Sequence, residues 1–241
     1  KPIDGNHQQL NDAILQIENE YYSNIRPKRT SSSNQRPIHA LFEKGIEYLE
    51  VRCIDLDPFE ASGISAEACY FLDTFLLACA LSKSPLDKPE EVSSSDKNQK
   101  LVAEQGRDEQ LRLSKNGRPC LLQEYAKDVL DACSAAAEML DNANGTRAYS
   151  RSFQKRFAQT SEPDTTLSSQ LFESIRKKGS FIDFSLDLAS QHLQTLRASP
   201  LSNAQQEIYD KEVKRSLKSQ KDLEQSSEVP FDKFLADYVA I

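Results

Sequence analysis

Strand character in this sequence is confined to its first quarter. Two segments, residues 13–22 and 45–54, alternate apolar with polar side chains, while beyond residue 64 the apolar spacing changes to the three-to-four-residue repeat of helices. Two strands do not make a stable sheet alone. The expected fold class is therefore α+β: part of an antiparallel sheet near the N-terminus, followed by a mainly α-helical region, with further strands of that sheet supplied from outside this chain. The expected organisation is a sheet segment over residues 1–64 with the helical region 65–241 packed on it.

The first segment, A-I-L-Q-I-E-N-E-Y-Y, places Gln16, Glu18, Glu20 and Tyr22 on one face and Leu15, Ile17, Asn19 and Tyr21 on the other. The second, G-I-E-Y-L-E-V-R-C-I, sets Tyr48, Glu50 and Arg52 on one face, with Leu49, Val51 and Cys53 facing away. Between them, I-R-P-K-R-T-S-S-S reads as a basic, serine-rich loop whose prolines oppose regular structure.

Downstream, Ser65 is placed to cap a helix with Glu67 in its first turn, and Ala68, Phe71, Leu72, Phe75, Leu76 and Cys79 form its apolar stripe, ending before Pro85. Residues 89–100 read as a polar loop or a frayed helix start. Residues 122–140 read as one strong helix, with Tyr125, Ala126, Val129, Leu130, Cys133 and Ala137 on its apolar face. Further helices are expected at 148–160, 167–178, 181–197, 203–225 and 231–239. The segment 203–225 is highly charged and reads as a solvated surface helix.

The chain has 241 residues, 38% hydrophobic and 28% charged, which is enough for a sizeable core. Acids outnumber bases 37 to 30, so a general nucleic-acid binder is not expected, because phosphate binding needs a basic surplus. No apolar run reaches membrane-spanning length and no secretory signal is recognised, so a cytoplasmic protein is expected. The first residue is Lys1, and the expectation is a processed chain or a piece of a longer one. Five cysteines without a C-x-x-C read as reduced thiols, with Cys69 and Cys79 buried in apolar stretches. His7, His39 and His192 share no metal-ligand spacing. His192 falls on a helical apolar stripe and reads as a packed histidine, and Asn144-Gly145-Thr146 reads as a turn.

Glu50 and Arg52 are the residues that invite chemistry. A charge pair on a half-buried sheet is often only an ion pair. With Gln16, Glu18, Glu20 and Tyr22 on the other strand, the set also suits Mg²⁺, which takes hard oxygen ligands, and a phosphoryl group, which takes guanidinium donors. No glycine-rich phosphate loop exists, so a nucleotide site would be of neither the P-loop nor the dinucleotide-binding kind.

These residues carry a resemblance. L-Q-I-E-N-E-Y-Y-S-N-I-R-P-K-R (15–29) and G-I-E-Y-L-E-V-R-C-I-D-L-D-P-F-E-A-S-G-I (45–64), continued by F-L-D-T-F-L-L-A-C-A-L-S-K-S-P (71–85) and P-F-D-K-F-L (230–235), resemble the proteobacterial glutamate–cysteine ligase family. The resemblance implies a glutamine-synthetase-like curved antiparallel sheet. It also implies ATP-dependent ligation of the glutamate γ-carboxylate to cysteine through an acyl phosphate, the first step of glutathione synthesis. It makes Glu50 a Mg²⁺ ligand and Arg52 the guanidinium at the transferred phosphoryl group or substrate carboxylate. Tyr22 becomes part of the cysteine pocket, and Arg26, Lys28 and Arg29 face nucleotide phosphates. Glu18 and Glu20 lie in the motif without an assigned role. The family's N-terminal portion, with further metal-binding carboxylates, has no counterpart here, which makes the expected chain a C-terminal half that is inactive alone. At 106–110 the family's G-R-K-P-G is replaced by G-R-D-E-Q, which puts a phosphate-facing role for that loop in doubt. A non-catalytic fragment that binds a partner chain, and a ligase joining glutamate to another amine, are the alternatives.

Overall fold

A computed structural model describes residues 9–11, 13–31, 35–226 and 229–239. His7 and two serines of the basic loop, Ser32 and Ser33, lie outside the described residues. The chain divides into two compact units, one formed by Lys1–Asp55 with Pro200–Ile241, the other by Leu56–Ser199.

The first unit contains strands β1 (Ile25–Lys28) and β2 (Tyr48–Val51), joined through helix α1 (Pro37–Lys44). They pair antiparallel with Arg26 opposite Glu50 and Lys28 opposite Tyr48. The Arg52 N–H donates to Asn24 O (2.8 Å) and the Glu47 N–H to Lys28 O (2.9 Å), extending the ladder at both ends. An antiparallel pair is present, but only its second member is the one expected: residues 13–22 form no strand, and β1 lies in the segment read as a loop. Residues 13–17 are irregular and Glu18–Glu20 is a 3-10 turn. The carboxylate of Glu20 accepts the N–H groups of Gln16 and Ile17 (both 3.2 Å), so backbone donors that a ladder would use are met locally. Pro27 is tolerated because a strand with one neighbour can turn a missing donor outward. Pro37 starts α1 at its first turn, and Gly45, at φ 72°, ends it while its N–H donates to Leu41 O.

Two helices complete this unit, α9 (Asn203–Glu224) and α10 (Phe231–Val239). Ser202 caps α9 reciprocally with Gln205, and every residue of α9 is exposed, as its charge pattern led one to expect.

In the second unit, helix α2 (Ala66–Leu81) begins where Ser65 Oγ accepts the Ala68 N–H. Its buried residues are Thr74 and Ala78, while Cys69 and Cys79 are exposed, contrary to expectation. The physical reason is that α2 is apolar on nearly all sides, so spacing does not single out its inner face. Helix α3 (Pro89–Gln105) is complete rather than frayed: Pro89 needs no donor at its first position, and Glu91 accepts the Lys88 N–H (3.0 Å). Asn98 on α3 then grips β3 through two hydrogen bonds with the Ser114 backbone (2.7 and 2.8 Å).

Strands β3 (Arg112–Lys115) and β4 (Arg118–Leu121) form an antiparallel hairpin with no counterpart in the sequence reading. Its two-residue turn is Asn116-Gly117, both at positive φ (52° and 74°), a conformation this dipeptide accepts readily. The expected helix 122–140 is two helices, α4 (Leu122–Asp131) and α5 (Ser134–Asn144), because the chain tightens at the Cys133 N–H to Leu130 O bond. Helix α6 (Ala148–Gln159) follows the left-handed Gly145, and α7 (Leu167–Lys178) and α8 (Phe181–Ala198) start at Thr166 and Ser180 caps.

Helices α2, α5 and α6 meet over small residues. Ala78, Cys133 and Ala136 are buried together against Phe75, Leu77 and Phe153. Ser152 is buried and donates to Glu67 O (2.6 Å), tying α6 to the first turn of α2. Burial pushes the Cys133 thiol up, which keeps it protonated and unreactive. His192 is half-buried, with Nε2 2.8 Å from Pro58 O, and is a packed histidine as expected.

Candidate functional site: the polar face of the β1–β2 pair

The two-residue repeat of a strand puts Glu50 and Arg52 side by side on one face, and the antiparallel register brings Arg26 and Lys28 to the same face. Arg52 Nε donates to Glu50 Oε1 (2.9 Å), and Lys28 Nζ lies 3.1 Å from Glu50 Oε2. Glu50 therefore sits between two cations from two strands. Hydrogen bonding to Arg52 and then to Lys28 holds its carboxyl below the usual carboxylate range.

Glu50 Oε2 is shielded from solvent, with the Lys28 ammonium 3.1 Å away. A shielded carboxylate oxygen is a hard donor of the type Mg²⁺ takes, since that ion is held through one or two carboxylates together with substrate phosphates. Among the described residues no cluster of three or more His, Cys, Asp or Glu could hold a metal ion. The chemistry of the donor thus fits one ligand of such a site.

Arg52 also faces the ring of Tyr22, its guanidinium carbon 5.1 Å from the ring centroid. Tyr22 is largely exposed and lies in the irregular stretch between the Glu18–Glu20 turn and β1. Beside this group, Arg29 Nε is 3.7 Å from Glu47 Oε2, which also accepts the Thr30 N–H (2.9 Å). Thr30 is the main reason that the Glu47 carboxyl is held low. The sequence-predicted residues Tyr22, Arg26, Lys28, Glu50 and Arg52 thus come from one strand pair and its approach. Glu18 does not join them: its turn sends the carboxylate to Arg36 instead (2.8 and 3.2 Å). Glu20 is spent on its own turn.

The arrangement can do two kinds of chemistry. Arg52, Lys28 and Arg26 can hold anionic oxygens, and Glu50 can offer an oxygen ligand or orient those cations. The opposite face of the pair carries Ile25 and Leu49, both 44% exposed, so the charged face is the better covered of the two. In the second unit a mainly apolar cavity of 490 Å³ lies between α4, the end of α6 and the loop at 106–109, with Tyr125, Val129, Leu130 and Arg156 among its lining. The G-R-D-E-Q departure therefore borders an apolar space.

The glutamate–cysteine ligase family model matches residues 2–102, a stretch containing every member of the β1–β2 site. The chain is 40% identical over 238 residues to the glutamate–cysteine ligase of Azotobacter vinelandii, a match covering 98% of this chain and 45% of that protein. It is 41% identical over 240 residues to the ligase of Bordetella parapertussis, with the same shares. Its fold matches the crystal structure of the Francisella tularensis glutamate–cysteine ligase in complex with AMP with a TM-score of 0.87, at 31% identity, covering 98% of this chain and 46% of that one. The chain resembles glutamate–cysteine ligases along nearly all of its own length. It spans about half the length of the curated relatives it matches. Of the motifs that carry the likeness, the Y-L-E-V of E-Y-L-E-V-R forms β2 and I-R-P-K forms β1. Among the described residues no helix is long and apolar enough to cross a membrane.

Proposed function

We propose that this chain carries part of the active site of an ATP-dependent ligase that joins the γ-carboxylate of glutamate to the amine of cysteine. The observation that carries the reading is the charged face of β1–β2, where a shielded carboxylate oxygen of Glu50 stands among Arg52, Lys28 and Arg26 in a chain about 40% identical to such ligases. In this reading the γ-carboxylate attacks the terminal phosphorus of ATP, giving a γ-glutamyl phosphate and ADP. The cysteine nitrogen then attacks the acyl carbon, loses a proton and expels phosphate, leaving the amide of γ-glutamylcysteine.

Each residue has a physical task in those steps. Arg52 presents a planar fork of donors to the transferred phosphoryl oxygens or to the glutamate carboxylate, where negative charge concentrates. Arg26 and Lys28 neutralise nucleotide phosphates. Glu50 supplies one oxygen ligand to Mg²⁺, and until then holds Arg52 and Lys28 in place. Mg²⁺, when bound, neutralises phosphate charge. Tyr22 lends its ring and hydroxyl to the acceptor pocket, where Arg52 fixes one face of the ring. A cytoplasmic setting, where ATP and thiols are abundant, suits this chemistry.

The test is phosphate release by the protein in its full natural length. With ATP, Mg²⁺, glutamate and cysteine, release is expected to require both amino acids. Release independent of either one would remove the ligase reading.

A further inference from the structure

The stretch that carries Tyr22 has no regular structure over residues 21–24, yet it leads into the candidate site. Downstream it is fastened by the Arg52 N–H to Asn24 O bond (2.8 Å). Upstream it is fastened by the Glu18–Glu20 turn, where the Tyr21 N–H donates to Glu18 O (3.2 Å). Glu20 closes that turn locally, and the Glu18 carboxylate ties it to a residue remote in sequence. Arg36 meets both of its oxygens, Nη2 to Oε2 at 2.8 Å and Nε to Oε1 at 3.2 Å, the two-pronged geometry that fixes orientation as well as distance. Both side chains are about three-quarters covered, so the pair is only partly screened by solvent.

Arg36 is itself held. It stands immediately before α1, where its carbonyl accepts the N–H groups of His39 and Ala40 (3.0 and 3.3 Å), and Ala40 is fully buried. Its guanidinium carbon lies 5.3 Å from the ring centroid of Tyr238 on α10, and Tyr238 stacks on Phe234 at 5.5 Å. Glu18, Arg36 and Tyr238 are distant in sequence but form one chain of contacts ending four residues before Tyr22.

We propose that Glu18, Arg36 and Tyr238 form a clamp that positions Tyr22 for the acceptor amine; they are positioning residues that do not touch substrate. The inference rests on the ligase reading above and deepens it. Tethered on both sides, Tyr22 can wander only a few ångströms, whereas held only at Asn24, two residues downstream, it sweeps a radius of roughly 7 Å. Releasing the clamp therefore spreads Tyr22 over many positions, and the cost falls on the substrate that Tyr22 meets.

The experiment uses the full-length enzyme with Glu18→Gln, Arg36→Lys, Tyr238→Ala, the charge-exchanged double variant Glu18→Arg with Arg36→Glu, and Tyr22→Phe in parallel. KM for cysteine, glutamate and ATP and kcat are measured on each, after circular dichroism confirms folding. Arg36→Lys keeps the charge and loses only the fork, so it decides the matter if a harsher variant fails to fold. The expected result is a roughly tenfold rise in KM for cysteine in each single clamp variant, with KM for ATP and glutamate within about twofold, and partial recovery in the double variant. A cysteine KM unchanged in the clamp variants but raised in Tyr22→Phe would overturn the clamp and leave the ligase reading standing. No effect of Tyr22→Phe on cysteine kinetics would overturn the placement of Tyr22 and the clamp with it. Equal losses in kcat and all three KM values, without recovery in the double variant, would make the contacts purely structural.

Discussion

At the scale of single residues, Glu50 decides what the charged face can do. Glu50→Gln keeps the shape but removes the charge that Arg52 and Lys28 share. In the full-length enzyme kcat is expected to fall at least about a hundredfold, equivalent to about 2.7 kcal/mol of lost transition-state stabilisation. Near-normal turnover at saturating Mg²⁺ would show that Glu50 is neither ligand nor organiser. Arg52→Lys preserves the charge and loses the fork that now spans Glu50 and the Tyr22 ring. It is expected to lower kcat more than it alters KM for ATP, read by steady-state kinetics with each substrate varied. The pH dependence has a definite sign. The folded carboxyl of Glu50 titrates below its ordinary 4.5, because Arg52 and then Lys28 favour the ionised form. That stabilisation is complete above the unfolded value and is lost as pH falls through the lower, folded one. Acid unfolding of Glu50→Gln is therefore expected to have a shallower dependence on pH in the window beneath 4.5 than the parent has, as followed by circular dichroism.

At the scale of elements, α2, α7, α8 and α9 start where sequence caps place them, and the start of α6 is supplied from elsewhere. Asp141, buried on α5, accepts the Tyr149 and Ser150 N–H groups at the head of α6 (3.0 and 3.1 Å). Its burial raises the carboxyl's pKa, and those hydrogen bonds more than offset this, leaving it below the usual range. Asp141→Ala strands two donors in a covered position, so the melting temperature is expected to fall by several degrees. The α2–α5–α6 contact makes the opposite demand on size. Ala136 is 2% exposed at the centre of that contact. Ala136→Leu inserts three carbons where helices meet, with an expected cost of about 1–3 kcal/mol, measured by denaturant titration.

At the scale of the whole molecule, among the described residues the site is thinly furnished in carboxylates and its sheet has two strands. The apolar face of that sheet is open at Ile25 and Leu49, with Ile46 62% exposed beside it. The 241-residue chain made alone is therefore expected to show strong helical circular dichroism, to associate at high concentration, and to release no phosphate from ATP with glutamate, cysteine and Mg²⁺. Turnover dependent on both amino acids would show that these residues already contain a working site.

Local rules carried part of this structure unaided. Ser65, Thr166, Ser180 and Ser202 cap helices because a hydroxyl one residue before a helix meets an unpaired N–H whatever surrounds it. Glu50 and Arg52 share a face because the pleat alternates with a period of two, and the motif around them was enough to reveal the resemblance to glutamate–cysteine ligases. The Asn116-Gly117 hairpin turn was equally local, although the helical pattern around it draws attention away. Other features depended on partners remote in sequence. The side of α2 that turns inward was set by α5 and α6, since apolar residues ring nearly the whole helix. The alternation of residues 13–22 describes a strand equally well, but Glu20 closes a local turn and Glu18 finds Arg36, which in turn meets Tyr238. Spacing along the chain contains no trace of a contact between residues 18, 36 and 238. Tertiary structure decided it, because the energy of a two-pronged ion pair depends on where the folded chain brings its two ends.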